Sequence, residues 1–198
     1  KSTHVSTPHL GVDALYIASQ IVVAVQGLVT RRTSPTEPVI IGIGKLNAGT
    51  TYNAVAAFAE MEGTTRTISQ ESRDRVRAQV SETAQSIATL YGGTAEVEWT
   101  DFAAALVNDP QVCEEAARVV DELLGAGHVV TDRELSLSGD NFAEFELYKP
   151  GAYAYLGTGN PDLPHTMITN HNGGFDVDEN ALVTGAGLYV GYTVARLG

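Results

Sequence analysis

The spacing of apolar residues in the first hundred positions predicts two amphipathic helices. Across residues 10–30 apolar side chains recur at every third or fourth position, which is the helical period. Residues 72–91 show the same period and are followed by Gly92-Gly93, a common helix terminator. Each of the two segments therefore has one face that can be buried against a sheet.

Three β-type segments lie around these helices. They are residues 39–44, 54–68 and 95–99. The order helix, strand, strand, helix, strand becomes a split β-α-β arrangement, four antiparallel strands covered by two helices, if one more strand stands at or before residue 1. We therefore expect a ferredoxin-like α+β unit whose first strand is missing or clipped.

The second half of the chain continues the α/β pattern but differs in charge. Helices are predicted at 109–124, 141–147 and 178–197, and short strands at 128–130 and 152–156. The first hundred residues carry 9 acidic and 8 basic side chains, whereas the remainder carries 15 and 4. This break predicts two units, which we place at residues 1–108 and 109–198.

Composition narrows the range of partners. A net charge of -12 disfavours nucleic acid and anionic membranes, because both require Lys and Arg to neutralise phosphate. No run of eighteen apolar residues and no basic-then-apolar leader is present, so we expect neither a membrane span nor a signal peptide. The single cysteine, Cys113, excludes an internal disulfide and fits the cytoplasm. The expected partner is a small molecule.

Chemistry-bearing residues are scattered rather than gathered in a self-contained motif. The densest polar cluster is residues 165–179, where imidazole and carboxylate groups could hold zinc or manganese. His171 is the candidate ligand in that cluster. Asp178 and Glu179 are better explained as first-turn residues of the last helix, since acidic side chains suit a helix N-terminus.

Three further residues have both a functional and an ordinary interpretation. Arg66 ends a predicted strand and could clamp a carboxylate through two parallel hydrogen bonds, or it could pair on the surface with Glu62 or Glu71. His4 and Asn53, judged by spacing alone, are a loop histidine and a turn asparagine.

Seven short motifs, in order and in spacing, resemble those of the metal-dependent amidohydrolases that include hippurate hydrolase, N-acyl-amino-acid aminoacylases and indole-acetyl-amino-acid hydrolases. Residues 2–13, STHVSTPHLGVD, resemble the family's small-x-His-Ala-x-x-Pro-His-x-Gly-x-Asp. The others are QGLVTR at 26–31, GKLNAGTTYN at 44–53, EGTTRT at 62–67, VNDP at 107–110, PGAYAYLGTG at 150–159, and the segment 169–179.

This resemblance implies a domain organisation. Family members insert a lid, or dimerisation, domain into an α/β/α metallopeptidase catalytic domain. Residues 1–108 correspond to the lid and residues 109–198 to the C-terminal portion of the catalytic domain. The Cys/His-rich metal motif and the Glu-Glu pair of the family's first half have no counterpart here. The resemblance thus implies a homodimer joined through the lid, and a 198-residue chain that is inactive by itself.

The resemblance also implies roles for individual residues. His171 would be the last ligand of one or two divalent ions, Zn or Mn. His4 would polarise the scissile carbonyl, commonly in the partner subunit's active site. Asn53 and Arg66 would hold the substrate's α-carboxylate, and the loop at Gly157 would direct backbone N–H groups at the substrate.

The implied reaction is metal-dependent hydrolysis of the amide bond of N-acylated amino acids by the intact enzyme. One departure affects this expectation: residues 139–142 read Gly-Asp-Asn-Phe where the family has Ser/Ala-Glu-Asp-Phe, so whatever the acidic pair supports is altered. The alternative, from another class, is a non-catalytic dimerisation or small-molecule-binding module.

Overall fold

The structure, a computed structural model, describes residues 1–101 and 103–198. It divides into two units, residues 1–106 with 136–143 and residues 107–135 with 144–198. The first unit therefore includes a short segment from the second half of the chain, which the charge pattern does not indicate. The elements are α1 (Ala14–Gly27), β1 (Ile40–Ala48), β2 (Ala59–Arg66), α2 (Gln70–Leu90), α3 (Pro110–Leu124), α4 (Ala143–Glu146) and α5 (Asn180–Leu197).

Side-chain caps begin the two helices of the first unit. The Asp13 carboxylate accepts hydrogen bonds from the N–H groups of Leu15 and Tyr16 at the start of α1, and the Ser69 hydroxyl accepts one from the N–H of Ser72 in α2. Beyond Gly27, α1 continues as a π-helical segment, Leu28–Arg32. Both predicted helices are confirmed.

The sheet of the first unit is an antiparallel hairpin. Ile40 pairs with Arg66 at one end and Ala48 with Ala59 at the other, with a bulge at Gly44 between Ile43 and Lys45. The two strands approach closely at Gly63: a Cβ at this position would lie 2.5 Å from the carbonyl oxygen of Gly42. A residue without a side chain is therefore required there.

The core of the first unit lies between the hairpin and the two helices. By length and composition alone, Ala14–Arg32 could span a membrane, but its inner face is buried in this core, as expected of a core helix in a folded unit. The buried core residues are Ile17, Ile21, Val25, Leu28, Val39, Ile41, Val76, Ala84 and Ala88.

The strand predicted at 95–99 is not formed, so the described residues contain a two-stranded sheet instead of four strands. The segment alternates like a strand, with Ala95 and Val97 against the core and Glu96 exposed. A strand also needs a backbone partner, and the described residues offer none. Side chains of α2 hold the segment instead: Trp99 Nε1 donates to the Ser81 hydroxyl at 3.1 Å.

In the second unit α3 packs against α5, and both helices are as predicted. The Glu115 carboxylate of α3 accepts hydrogen bonds from the Tyr192 hydroxyl at 3.2 Å and the Arg196 guanidinium at 2.7 Å, both on α5. Donation from Gln111, together with these two groups, holds the pKa of Glu115 below its ordinary value. The ion pair between Glu115 and Arg196, partly shielded from solvent, thus links α3 to α5.

The strands predicted at 128–130 and 152–156 are absent. The side chain of Asn108 takes the place of a neighbouring strand, since its amide donates to the Tyr153 carbonyl at 3.0 Å and accepts from the Tyr153 N–H at 2.9 Å. The N–H of Asp109 continues this pairing by donating to the Gly151 carbonyl at 2.8 Å. The α/β class is nevertheless confirmed, with fewer strands than expected.

Candidate active site

The segment that carries His4 pairs with the connection between β1 and β2. The Val5 N–H donates to the Asn53 carbonyl at 3.1 Å, and the Val55 N–H donates to the Thr3 carbonyl at 2.8 Å. His4 thereby forms an antiparallel bridge with Ala54. Two residues that were candidates for separate reasons are thus neighbours at one end of the hairpin.

The His4 ring is exposed, and one of its nitrogens is engaged locally. Nδ1 accepts a hydrogen bond from the N–H of Ser6 at 3.2 Å and lies 2.7 Å from the Ser6 hydroxyl. Nε2 makes no hydrogen bond to any described residue, so it is the ring atom available to a ligand. The sequence does not single out Ser6, because a hydroxyl two residues after a histidine is a short and common signal.

The NH₂ group of the Asn53 side chain is available to donate hydrogen bonds to a ligand. Its Oδ1 accepts from the Thr51 hydroxyl at 3.2 Å, and its Nδ2 has no partner among the described residues. An amide held through its oxygen directs its NH₂ group away from that contact, where it can donate to a carbonyl or a carboxylate.

Arg66 is the last residue of β2 and forms no ion pair with any described residue. The ordinary interpretation required Glu62 or Glu71, but Glu62 pairs with Lys45 across the hairpin and Glu71 does not pair with Arg66. The Arg66 guanidinium lies close to Gly139 of the same unit, where an added Cβ would be 3.0 Å from Nη1. A half-buried guanidinium without a carboxylate partner is suited to bind one from a ligand.

One copy of the hairpin places these candidates at opposite ends. The Ala56 carbonyl, three residues after Asn53, accepts from the N–H of Ala14 at the start of α1, whereas Arg66 lies beyond the full length of β2. Seven residue steps of a strand cover about 23 Å. The expected joint grip of Asn53 and Arg66 on one carboxylate is therefore not available within a single hairpin.

The predicted metal ligand His171 belongs to no metal-binding group among the described residues. It is exposed, with a positive φ of 60°. In residues 1–101 and 103–198 no group of three or more His, Cys, Asp or Glu side chains could hold a metal ion, and the closest histidine–carboxylate contact is His165 Nε2 to Asp176 Oδ2 at 3.8 Å. The described residues thus do not by themselves assemble a metal centre.

Asp178 supports the loop around Gly157 and is not a free ligand. Its carboxylate accepts from Asn160 Nδ2 at 2.7 Å and from the Asn180 N–H at 3.0 Å, and these donors hold the pKa of Asp178 below its ordinary value. Its N–H donates to the Thr158 carbonyl at 2.9 Å. Nothing lies within 4 Å of the position that a Cβ on Gly157 would take, so this part of the loop faces open space.

Comparison with known proteins gives a consistent result. Residues 1–91 match the family model of the peptidase dimerisation domain. The chain is 33% identical over 187 residues to thermostable carboxypeptidase 1 of Saccharolobus solfataricus. This match covers 94% of this chain and 46% of that protein. It is 32% identical over 183 residues to N-acetyl-L-cysteine deacetylase of Bacillus subtilis, with 92% and 42% covered.

A solved structure agrees with these matches. The crystal structure of a dinuclear metal-binding peptidase of the M20 family from Bacillus subtilis aligns with a TM-score of 0.75 and 27% identity over 93% of this chain and 46% of that one. The chain spans about half the length of the curated relatives it matches. Residues 1–91 therefore match a peptidase dimerisation domain, and most of the chain is similar to a solved peptidase of the M20 family and to proteins named as a carboxypeptidase and a deacetylase.

Proposed function

We propose that this chain is the lid and the C-terminal part of a longer metal-dependent hydrolase that cleaves the amide bond of N-acylated amino acids. The backbone pairing that brings the His4 segment against the Asn53 segment carries this proposal, because it places a histidine and an asparagine at the same end of the hairpin. Two relatives are named as a carboxypeptidase and as a deacetylase of N-acetyl-L-cysteine. Both names describe hydrolysis of an amide bond, which supports the proposed reaction class.

In this proposal His4 donates from Nε2 to the oxygen of the scissile carbonyl as negative charge develops on it. Donors placed at a developing oxyanion are worth 10²–10³-fold in kcat when one is removed, as a rough guide. Asn53 adds a neutral donor beside it. Arg66 binds the α-carboxylate through its unpaired guanidinium, which orients the substrate and favours amino-acid derivatives over simple amides.

The separation of His4 from Arg66 leads us to propose that the active site is shared between the subunits of a homodimer. A substrate of amino-acid size cannot span about 23 Å, so one lid would supply His4 and Asn53 while Arg66 comes from the other subunit. The match of residues 1–91 to a dimerisation domain supports this arrangement. In a twofold dimer the exchange is reciprocal and forms two equal sites.

We further propose that the enzyme uses one or two divalent ions, zinc or manganese, and works in the cytoplasm. Support for the metal comes from the Bacillus subtilis neighbour, which is described as a dinuclear metal-binding peptidase. His171 would supply a single ligand. Since the described residues do not form a metal centre, the remaining ligands and the general base would lie in the part of the enzyme that this chain does not cover.

Hydrolysis assays test the proposal. The 198-residue chain is expected to leave N-acetyl- and N-benzoyl-amino acids intact with or without added Zn²⁺ or Mn²⁺. A longer protein that joins this chain to the first half of a catalytic domain is expected to cleave them in a metal-dependent manner. Metal-dependent cleavage by the 198-residue chain alone would contradict the proposal.

The lack of a metal-binding group in the described residues favours one alternative, a dimerisation module without catalytic activity. This alternative predicts a stable dimer and no hydrolysis from the longer protein under any metal condition. The same assays, combined with measurement of the molecular mass in solution, separate the two.

A further inference from the structure

We propose that Ser6 is a positioning residue that holds the imidazole of His4 in the tautomer with its proton on Nε2. The inference rests on the proposed role of His4, and it concerns a residue that neither the motif pattern nor the relatives' names assign. It starts from two contacts at one ring nitrogen, the N–H of Ser6 at 3.2 Å and the Ser6 hydroxyl at 2.7 Å.

The backbone contact reveals the direction of both hydrogen bonds, and the hydroxyl, at 2.7 Å against 3.2 Å for the N–H, makes the stronger of the two. A backbone N–H can only donate, so Nδ1 must present its lone pair to Ser6. A hydroxyl can donate or accept, but beside an Nδ1 that carries no proton it must donate. In neutral imidazole one nitrogen carries the proton and the other does not, so the proton lies on Nε2.

A compact turn builds this contact. The N–H of Thr7 donates to the His4 carbonyl at 2.9 Å, and the Thr7 hydroxyl donates to the same oxygen at 3.2 Å. The Thr7 hydroxyl also lies 3.1 Å from that of Thr3. The turn brings Ser6 back to the ring of His4, while the pairing of Val5 with Asn53 holds the other side of the segment. The backbone thus brings the Ser6 donors to the ring.

This arrangement matches the chemistry proposed for His4. An oxyanion needs a donor, and with Nδ1 engaged the only free ring position is an N–H at Nε2. The opposite tautomer would present a lone pair to the developing negative charge and would repel it. The same logic argues against His4 as a metal ligand through Nε2, since a metal requires the unprotonated nitrogen.

Nitrogen NMR of the ¹⁵N-histidine-labelled 198-residue chain tests the inference without any enzyme assay. At alkaline pH, long-range ¹H–¹⁵N spectra distinguish the two nitrogens of each neutral ring. We compare the wild type with Ser6→Ala, which keeps the backbone donor and loses the hydroxyl, and with Ser6→Thr, which keeps both. Ser19→Ala is the matched control, because its hydroxyl donates to the Tyr16 carbonyl and does not contact His4.

His128 provides an internal reference in the same spectra. Its Nδ1 lies 3.0 Å from the Gly125 carbonyl, which can only accept, so His128 carries its proton on Nδ1. His4 is expected to show the opposite pattern in the wild type and in Ser6→Thr. In Ser6→Ala the His4 signals should shift toward a mixture of tautomers, while His128 and the Ser19→Ala spectrum stay unchanged.

Either of two results would overturn the inference: a wild-type His4 with its proton on Nδ1, or a Ser6→Ala spectrum identical to that of the wild type at His4. In the longer enzyme, Ser6→Ala should lower kcat about fivefold, the worth of one typical hydrogen bond, with KM unchanged and with recovery in Ser6→Thr. If the longer enzyme proves inactive, the proposed function fails, whereas the NMR result still decides the tautomer.

Discussion

The N–H of Val5 donates to the carbonyl of Asn53 at 3.1 Å, and this hydrogen bond sets His4 and Asn53 at the same end of the hairpin. The two residues are 49 positions apart in the chain, so neither local pattern nor spacing indicates their proximity. The pairing depends on the path of residues 1–12, which return past the start of α1. The pairing of these two segments can be tested at Gly11, which packs against Lys1 and Thr3.

Gly11→Ala is expected to disturb this pairing. A Cβ at Gly11 would lie 2.7 Å from Thr3 Cγ2 and 2.8 Å from the Lys1 carbonyl oxygen, so the first residues must move. Overpacking of this kind costs roughly 1–3 kcal/mol. Thermal unfolding should show the loss, and hydrogen exchange should show a faster-exchanging Val5 amide.

Gly27→Ala is the matched control for Gly11→Ala. Nothing lies within 4 Å of a Cβ at Gly27, which is in α1, and alanine has a helix propensity better than that of glycine by about 1 kcal/mol. This variant should be equally stable or more stable. Equal stability losses in the two variants would contradict the close packing of Gly11.

Gly63→Ala is expected to disrupt the hairpin. The added methyl would lie 2.5 Å from the Gly42 carbonyl and 2.8 Å from Ile43 Cδ1, and the backbone contact cannot be relieved by a rotamer change. We expect a loss of about 2–3 kcal/mol in urea unfolding. Gly44→Ala, at the bulge and with nothing within 4 Å, should change stability far less. Similar effects of both substitutions would argue against the register described for β1 and β2.

Glu37 makes the first unit sensitive to acid. Donation from the Ser72 hydroxyl and then from Arg75 holds the pKa of Glu37 below its ordinary value. A carboxylate with a lowered folded pKa stabilises the fold above its unfolded pKa, about 4.3, and the contribution is lost as the pH falls through the folded value. Glu37→Gln should therefore be less stable than the wild type at neutral pH, and the difference should shrink below about pH 4.3.

Urea unfolding from neutral to acid pH measures this dependence. Glu82→Gln, an exposed position on α2 without an ion pair among the described residues, serves as the comparison and should follow the wild type throughout. A stability difference between Glu37→Gln and the wild type that stays constant with pH would show that the hydrogen bonds from Ser72 and Arg75 do not lower the pKa of Glu37.

His4→Ala in the longer enzyme should separate catalysis from folding. The side chain is exposed and, among the described residues, its ring forms hydrogen bonds only to Ser6, so the unfolding temperature should hardly change. If His4 stabilises the oxyanion, kcat should fall by roughly 10²–10³-fold. Parallel losses of kcat and stability would return His4 to the status of an ordinary loop residue.

Local patterns predicted the helices well, because each helix carries its own period and caps. Asp13 and Ser69 cap their helices through contacts within three residues, and such signals are legible in a sequence. The strands were harder to predict. The segment 95–99 alternates as a strand does but has no backbone partner among the described residues, and partners cannot be inferred from a segment's own pattern.

The order of the motifs indicated which residues belong to the candidate site. The contacts and positions of those residues could be read only from the structure. The register across the hairpin pairs Glu62 with Lys45, and Arg66 has no carboxylate partner among the described residues. The same register shows that Arg66 and Asn53 lie at opposite ends of the hairpin, which the motifs do not reveal. Ser6 was missed because its importance comes from a turn that returns it to the ring of His4.

The central claim, that His4 and Arg66 serve one substrate from different subunits, can be tested by mixing two inactive variants of the longer enzyme. His4→Ala and Arg66→Ala subunits are unfolded and refolded together in equal amounts. In random twofold dimers, half of the molecules are mixed and each contains one intact site, so the mixture should recover about a quarter of the wild-type activity. Activity no higher than that of the separate variants would contradict a shared site.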